Sequence, residues 1–346
     1  MTAFLTEIQA IHHYLFIPER IPLAMAALLL AGVVGMVTGP LWGNANPFFW
    51  IVVNKALGTF GARLDRVQRK PGDLMIRGLL LSLVGLLLFY AAGRGAETLV
   101  RLVPLAGVTE IIALSLVLTA GTVWFALLKL FFAMKEKKTG DRTYYAIAVS
   151  TRTNLAAADD FTITRIGMGW AARMFDKGVV APIIWFLIGG LPAAYIYAGL
   201  AALSWRFGRD GFTKGFGRIP LVLEKLMGFG PMLLSGALMA GAGLLTPTGG
   251  MTRAFAGLMR KEGAAPYEEG GLPVTAMANS LNVSLGGPVI DLDGSTIKRA
   301  WAGPKSATAQ LGEGHLGRAL YISLMAHLLF LAAMGASLLY AGRFFG

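Results

Sequence analysis

The chain has 346 residues, of which 55% are apolar and only 14% are charged. This composition excludes a disordered protein and a typical soluble enzyme, because the apolar runs approach the ~20 residues that a helix needs to cross a bilayer. The formal net charge of +12 indicates basic loops on the untranslocated side of a membrane, and we expect no nucleic-acid partner. Cysteine is absent, which excludes disulfides and thiolate chemistry.

Six apolar segments are predicted to cross the membrane, so the fold class is an all-α polytopic helical bundle with five or six spans. They cover residues 21–38, 78–93, 111–134, 178–205, 226–245 and 319–342. No basic region typical of a secretory signal precedes the first run, and we interpret that run as a retained span. The fourth contains Gly189-Gly190-Leu191-Pro192, which predicts a break because proline removes a helical hydrogen bond and glycine loosens the turn.

Basic residues concentrate in the loops 39–77, 135–177 and 246–317 of what we treat as a single domain, 1–346. The positive-inside rule places these loops in the cytoplasm and both termini on the opposite side of the membrane. We expect this membrane to be the inner (plasma) membrane of the cell. Basic and apolar residues interleave in the first loop, which predicts either an amphipathic helix in the membrane interface or a cover over the cytoplasmic mouth of the bundle. The other two loops are expected to contain short helices and to meet in a polar pocket.

The two longer loops carry the groups that suit chemistry. Asp159-Asp160 offers oxygen ligands to Mg²⁺, or alternatively begins a helix and stabilises its dipole. The turns at Gly270-Gly271-Leu272-Pro273 and Gly286-Gly287-Pro288 let the backbone approach a ligand closely and expose N–H groups to an anion. Neither loop contains a phosphate-binding loop, a dinucleotide fingerprint or a nucleophile elbow.

A single histidine, His327, lies in the middle of the last predicted span. No second histidine stands at metal-ligand spacing from it, so we expect no transition metal bound by the protein. We interpret His327 as a hydrogen-bond partner in helix packing.

Several short motifs follow one another along most of the chain. They are Asn46-Pro47, Gly178-Val179-Val180-Ala181-Pro182, Gly189-Gly190-Leu191-Pro192, Gly271-Leu272-Pro273, Leu285-Gly286-Gly287-Pro288, Trp301-Ala302-Gly303 and Gly317-Arg318-Ala319-Leu320. In this order they resemble the integral-membrane adenosylcobinamide-phosphate synthases of cobalamin biosynthesis, the CobD/CbiB group.

The resemblance implies ATP-dependent amide formation between adenosylcobyric acid, a corrinoid, and aminopropanol phosphate or a related amino alcohol, with ATP and Mg²⁺ as cofactors. For this reaction the remaining candidate catalytic residues are Asp159, Asp160 and Asp176, with Asp159 and Asp160 as the Mg²⁺ ligands, although none of them matches the family's acidic positions well. The implied substrate-binding residues are Arg165, Arg173, Lys177, Asn154, Asn279, Asn282, Gly286, Gly287 and Pro288.

The chain also departs from the family's pattern, mainly by losing acidic residues. Neutral or basic side chains stand at Gly169, Arg173, Lys177 and Val274, where family members usually carry a glutamate or an aspartate, and Glu224-Lys225 replaces the usual pair of aspartates. Because fewer carboxylates remain to hold a metal, a second hypothesis stays open. In it the chain is a non-catalytic relative, such as a membrane sensor, a regulator similar to the AmpE group, or a partner subunit, with the bilayer and a homo-oligomer or another membrane subunit as partners.

Overall fold

The computed structural model describes residues 19–66, 68–208, 215–246 and 250–345. The expected absence of a signal sequence concerns residues 1–18, which lie outside these ranges. The first part of the chain forms the helices α1 (Arg20–Thr38), α2 (Phe48–Leu64), α3 (Pro71–Leu102), α4 (Ala106–Ser115), α5 (Gly121–Lys135), α6 (Asp141–Thr151) and α7 (Asp160–Phe175). A π-helical turn (Asp176–Val180) joins α7 to α8 (Ala181–Phe207).

The second part continues with α9 (Arg218–Leu245), α10 (Met251–Leu258), a 3-10 turn (Tyr267–Glu269), α11 (Gly271–Leu281) and α12 (Glu313–Phe345). Between α11 and α12 lie the short strands β1 (Leu285–Gly286), β2 (Val289–Ile290), β3 (Thr296–Ile297) and β4 (Trp301–Ala302). Strand β1 pairs antiparallel with β4, and β2 pairs antiparallel with β3. The pairs are nested, so residues 285–302 form one twisted hairpin.

Five helical stretches in the described ranges are long and apolar enough to cross a membrane: Arg20–Thr38, Pro71–Leu102, Asp160–Phe207, Arg218–Leu245 and Glu313–Tyr340. The prediction of an all-α polytopic membrane protein is therefore confirmed. Five helical stretches meet the criterion on their own, and the shorter helices α4 and α5 lie where a further crossing was predicted. In Asp160–Phe207, 61% of the most apolar window is buried inside the protein, against 28% for Arg20–Thr38. The π-turn and the helices on either side of it thus occupy the centre of the bundle.

The predicted span at residues 111–134 is wrong as a single helix. Helix α4 ends at Ser115 and α5 begins at Gly121, so neither reaches the length of a bilayer crossing. The segment between them bonds to distant parts of the chain: the Thr119 N–H donates to the Gly178 carbonyl at 2.9 Å, and the Thr119 hydroxyl donates to the Ala45 carbonyl at 2.8 Å. These long-range bonds satisfy backbone groups that a continuous helix would otherwise pair.

The break predicted near Pro192 is confirmed. Within α8 the backbone leaves the helical region at Gly189 (φ −125°, ψ 15°) and Gly190 (φ +67°, ψ −162°). The positive φ at Gly190 is a conformation that other residues adopt at a cost, so the glycine pair sets the position of the kink. On the outside of this kink, the Gly93 backbone of α3 packs closely against Pro192.

Two of the three predicted loops, 39–77 and 135–177, consist mostly of helix. In 39–77, α2 buries Trp50, Val53 and Leu57 and leaves Lys55 exposed, while residues from Pro71 onward already belong to α3. Its location in the membrane interface stays a prediction. In 135–177, α6 ends at Thr151, and α7 then runs into the buried core. The loop boundary expected at residue 177 therefore falls inside the central π-turn.

Candidate anion-binding cleft and buried ion pair

A polar cleft lies between the loops 135–177 and 246–317, where α7 faces the 3-10 turn and the nested hairpin. We call it the arginine cleft. It is lined by Thr151, Arg165, Ile166, Gly169, Trp170, Arg173, Ala265, Glu269, Val274, Gly286, Val289, Arg299, Ala300 and Ala302. Both loops contribute to it, which agrees with the expectation that they meet in a polar pocket.

Helix periodicity explains why α7 presents its basic side chains to the cleft. Arg165, Gly169 and Arg173 are spaced four residues apart and therefore share one face of the helix. At Gly169 a methyl group would meet no atom within 4 Å, so the missing side chain leaves open space between the two arginines. The cleft has a volume of about 40 Å³, room for about three water molecules.

Arg165 is held in place mainly by stacking. Its guanidinium carbon lies 4.9 Å from the centroid of the Trp301 ring, and its Nη2 donates a weak hydrogen bond of 3.4 Å to the Thr162 hydroxyl. The side chain is 8% exposed, and its Nε has no hydrogen-bond partner among the described residues. A buried guanidinium N–H without an acceptor is costly, and an oxyanion in the cleft would satisfy it.

Glu269 is the carboxylate of the cleft. Its Oε2 accepts a 2.9 Å hydrogen bond from the Ala300 N–H. Burial raises the pKa of Glu269, while that hydrogen bond and the positive charge of Arg299 act in the opposite direction. The cleft therefore combines three guanidinium groups with one carboxylate whose proton affinity is increased.

The glycine turn of the predicted site lies beside the cleft, but its three residues do not contribute equally. Gly286 lines the cleft with φ +84°, and the Gly287 N–H donates to the Ala300 carbonyl at 3.2 Å. Gly287 packs against the Trp301 ring. Neither Gly287 nor Pro288 lines the cleft.

Asp159 and Asp160 lie at the far end of α7 from the π-turn. Asp159 is the N-cap of the helix and accepts a 2.8 Å hydrogen bond from the Thr162 N–H, as the helix-start interpretation predicts. Asp160 accepts from the Thr139 hydroxyl at 3.3 Å. Asp176 follows the last residue of α7, about 24 Å along the axis at ~1.5 Å per residue, so the three carboxylates do not converge.

The three asparagines of the predicted site lie outside the arginine cleft. Asn154 accepts from the Ala156 N–H, and Asn279 donates to the Thr275 carbonyl within α11. Asn282 ends α11 in a left-handed conformation with φ 56°. The amide groups of Asn154 and Asn279 thus stabilise local backbone structure.

Next to the cleft, the π-turn carries a buried ion pair. Lys177 Nζ lies 2.7 Å from Glu224 Oε1, and the two side chains are 7% and 0% exposed. The Tyr267 hydroxyl donates to the same Glu224 oxygen at 3.0 Å, and Lys177 Nζ lies 4.4 Å from the Tyr267 ring centroid. Asp176 accepts a 2.7 Å hydrogen bond from Ser235. We call these five residues the buried centre.

These donors do not fit a resident Mg²⁺. The ion takes oxygen ligands in octahedral geometry, usually from one or two carboxylates together with water and substrate phosphates. In the described ranges no three acidic or histidine side chains come together as a metal site. In the buried centre, the position beside Glu224 is taken by the ammonium group of Lys177.

Sequence reasoning missed Glu269 and Arg299. Each lies two residues before a recognised motif, Glu269 before Gly271-Leu272-Pro273 and Arg299 before Trp301-Ala302-Gly303. The position of these charged residues beside glycine-rich turns was the feature of the sequence that could have indicated them. Their convergence with α7 depends on the nested hairpin, which spacing alone does not reveal.

His327 forms a hydrogen bond and packs against neighbouring helices, as the sequence predicts. Its Nδ1 is 2.7 Å from the Ser323 carbonyl, and its ring contacts the rings of Trp124 and Phe175.

Comparison with known proteins identifies the family. The family model described as CobD/Cbib protein matches residues 28–323. A probable cobalamin biosynthesis protein CobD from Methanothermobacter thermautotrophicus is 25% identical over 267 residues, covering 76% of this chain and 84% of the relative. A cobalamin biosynthesis protein CobD from Sinorhizobium sp is 26% identical over 273 residues, covering 76% and 83%. No solved structure matches.

Five of the positions at which the sequence departs from the pattern that the resemblance implies lie in or beside the arginine cleft. Gly169, Arg173 and Val274 line the arginine cleft, and Lys177 and Glu224 form the adjacent ion pair. With the family model matching most of its length, the chain belongs to the CobD/CbiB protein family.

Proposed function

We propose that the protein is a membrane-bound, ATP-dependent C–N ligase that joins a carboxyl group of adenosylcobyric acid to the amino group of aminopropanol phosphate. Membership of the CobD/CbiB family, together with relatives named for cobalamin biosynthesis, supports a role in that pathway. The choice of the reaction and of the corrinoid substrate follows from the family resemblance, and the arginine cleft supports the choice of an amino-alcohol phosphate.

The charges of the cleft are the observation that carries the proposal. Aminopropanol phosphate has a phosphate group at one end and an ammonium group at the other. Arg165, Arg173 and Arg299 provide guanidinium groups for the phosphate, and Glu269 provides a carboxylate for the ammonium. The volume of about 40 Å³ is too small for the corrinoid or the nucleotide, which must approach from the open side.

In the proposed reaction the corrinoid carboxylate attacks the terminal phosphorus of ATP, which forms an acyl phosphate and releases ADP. The amine then attacks the acyl carbon, so that the C–N bond forms and the C–O bond to the phosphate breaks. Two protons leave the nitrogen. One leaves with the phosphate as hydrogen phosphate, and Glu269 accepts the other and passes it to solvent. The arginines hold the amino alcohol so that its nitrogen points out of the cleft.

We also propose that the cleft faces the cytoplasm at the inner (plasma) membrane. Both loops that form it are rich in lysine and arginine, which favours the untranslocated side. ATP is available there. The requirement for ATP and Mg²⁺ stays a prediction, and no reaction step is assigned to a metal held by this chain.

One observation favours the second candidate function, a non-catalytic relative that acts as a sensor, regulator or partner subunit. The acidic residues lost from the family's pattern converge on one region, as expected if the ancestral chemistry no longer constrains it. Such a protein would still bind a small phosphorylated ligand in the arginine cleft, alone or as part of a homo-oligomer or a complex with another membrane subunit.

The test is a reaction with the full chain purified in detergent and supplied with ATP, Mg²⁺, adenosylcobyric acid and aminopropanol phosphate. We expect an amide product by mass spectrometry and one ADP per product. The variant Arg173→Gln should lose most of this activity, while Arg63→Gln, on the exposed face of α2, should retain it. Ligand binding without product would favour the second candidate. The absence of both binding and product would contradict both candidates.

A further inference from the structure

The buried centre has an unusual composition for a membrane-spanning bundle. Asp176, Lys177, Glu224 and Ser235 are each at least nine-tenths buried, and two of the four are carboxylates. Ionised groups in such surroundings are costly unless they are paired, because they lose their hydration. A cation must therefore be present among them.

Lys177 already provides that cation. Its Nζ is 2.7 Å from Glu224 Oε1, a direct ion pair, and the Tyr267 ring lies on another side of the ammonium group at 4.4 Å. The Tyr267 hydroxyl donates to Glu224 Oε1 as well. The ammonium group thus neutralises Glu224 through Oε1, while Oε2 of the same carboxylate has no hydrogen-bond partner among the described residues.

The local backbone favours this arrangement. Lys177 lies in the π-helical turn Asp176–Val180, and such turns are rare and change the direction of side chains relative to an α-helix. Lys177 points toward α9, where Glu224 and Ser235 lie, instead of continuing the line of Arg165 and Arg173 into the cleft.

We propose that the ammonium group of Lys177 is the resident cation of the buried centre and takes the place of a divalent metal ion. This inference does not depend on the proposed ligase reaction, since it concerns only which cation Glu224 binds. Replacing Lys177 by a carboxylate should remove one positive charge, add one negative charge and leave three acidic side chains side by side, a ligand set that suits a divalent cation.

Manganese(II) is the probe, because it accepts oxygen ligands and its electron paramagnetic resonance signal reports binding directly. For the full-length protein in detergent we expect no saturable Mn²⁺ binding and no rise in melting temperature with Mn²⁺. Lys177→Asp should bind one Mn²⁺ per chain, and its melting temperature should rise with the logarithm of the Mn²⁺ concentration. Lys225→Asp is the matched control: it adds a carboxylate next to Glu224 in sequence, but on an exposed position, and should bind none.

Two results would overturn the proposal. One is saturable Mn²⁺ binding to the unmodified protein that is lost in Glu224→Gln. The other is a folded Lys177→Asp variant that binds no Mn²⁺. If Lys177→Asp does not fold, the titrations of the unmodified protein and of Glu224→Gln still decide, because the proposal excludes saturable Mn²⁺ binding that depends on Glu224. A ligase assay without product would leave these results unchanged.

Discussion

Glu269 is the side chain on which the proposed reaction depends most directly. Glu269→Gln removes the proton acceptor and keeps the size of the side chain. We expect kcat to fall by about 10²- to 10⁴-fold, the usual contribution of general base catalysis, with a smaller change in KM for aminopropanol phosphate. Val274 lines the same cleft, so Glu269→Gln combined with Val274→Glu should recover part of the rate. An unchanged kcat in the single variant would exclude the role.

The rate should also depend on pH through Glu269. Burial raises its pKa, and the carboxylate accepts a proton only when it is ionised. The rate should therefore fall as the pH decreases through a pKa above the ordinary value for glutamate. A pH–rate profile of Glu269→Gln, measured on its residual activity, should lack this acidic limb. Retention of the same limb would assign it to another group.

Asp159 caps the N-terminus of α7 and so stabilises the helix. Hydrogen bonds from the side chain and the backbone of Thr162 lower its pKa. The ionised form thus stabilises the fold at pH values above the ordinary aspartate pKa, and this stability is lost as the pH falls through the lowered pKa. Asp159→Ala should cost about 0.5–2 kcal/mol at neutral pH and Asp159→Asn less, measured by denaturant unfolding in detergent. A large loss of Mg²⁺ affinity without loss of stability would instead support the metal role.

The helices show which features the sequence can predict and which it cannot. The kink in α8 was predictable, because Gly189-Gly190 and Pro192 act on their own backbone. The break between α4 and α5 was not, because an apolar run of suitable length continues through it and the stabilising acceptors lie at Ala45 and Gly178. The same distinction holds for the site: the basic face of α7 follows from its spacing, whereas Glu269 and Arg299 join it through the hairpin.

Close packing between helices gives a matched pair of variants on α3. A methyl group at Gly93 would lie 2.5 Å from the Pro192 Cα, whereas at Gly95 it would meet nothing within 4 Å. Gly93→Ala should therefore lower the melting temperature. Gly95→Ala should leave it unchanged or raise it, since alanine favours a helix over glycine by ~1 kcal/mol. Equal effects of the two substitutions would contradict the packing of α3 against the kink.

The topology of the whole molecule is testable because the chain has no cysteine. Single cysteines replace well-exposed basic residues in Lys138→Cys and Lys305→Cys, where the side chains are each 78% exposed, and in Arg101→Cys, where it is 70% exposed. A membrane-impermeant maleimide added to whole cells should label only Arg101→Cys, because the two long loops are proposed to be cytoplasmic. This outcome requires the shorter helices α4 and α5 together to cross the membrane between Arg101 and Lys138. Labelling of both Lys138→Cys and Lys305→Cys from outside would show that the orientation is the reverse of the proposed one. Labelling of only one of them would show that the two loops lie on opposite sides of the membrane.

The central claim is that two basic loops jointly form a cleft for an amino-alcohol phosphate. Calorimetric titration of aminopropanol phosphate into the purified protein tests it most directly. We expect one site per chain, weakened by about tenfold or more in Arg165→Gln from the first loop and in Arg299→Gln from the second, since a charge-assisted hydrogen bond contributes ~1.5–3 kcal/mol. Arg63→Gln should bind like the unmodified protein. Absence of binding, or binding that neither cleft variant weakens, would contradict the account.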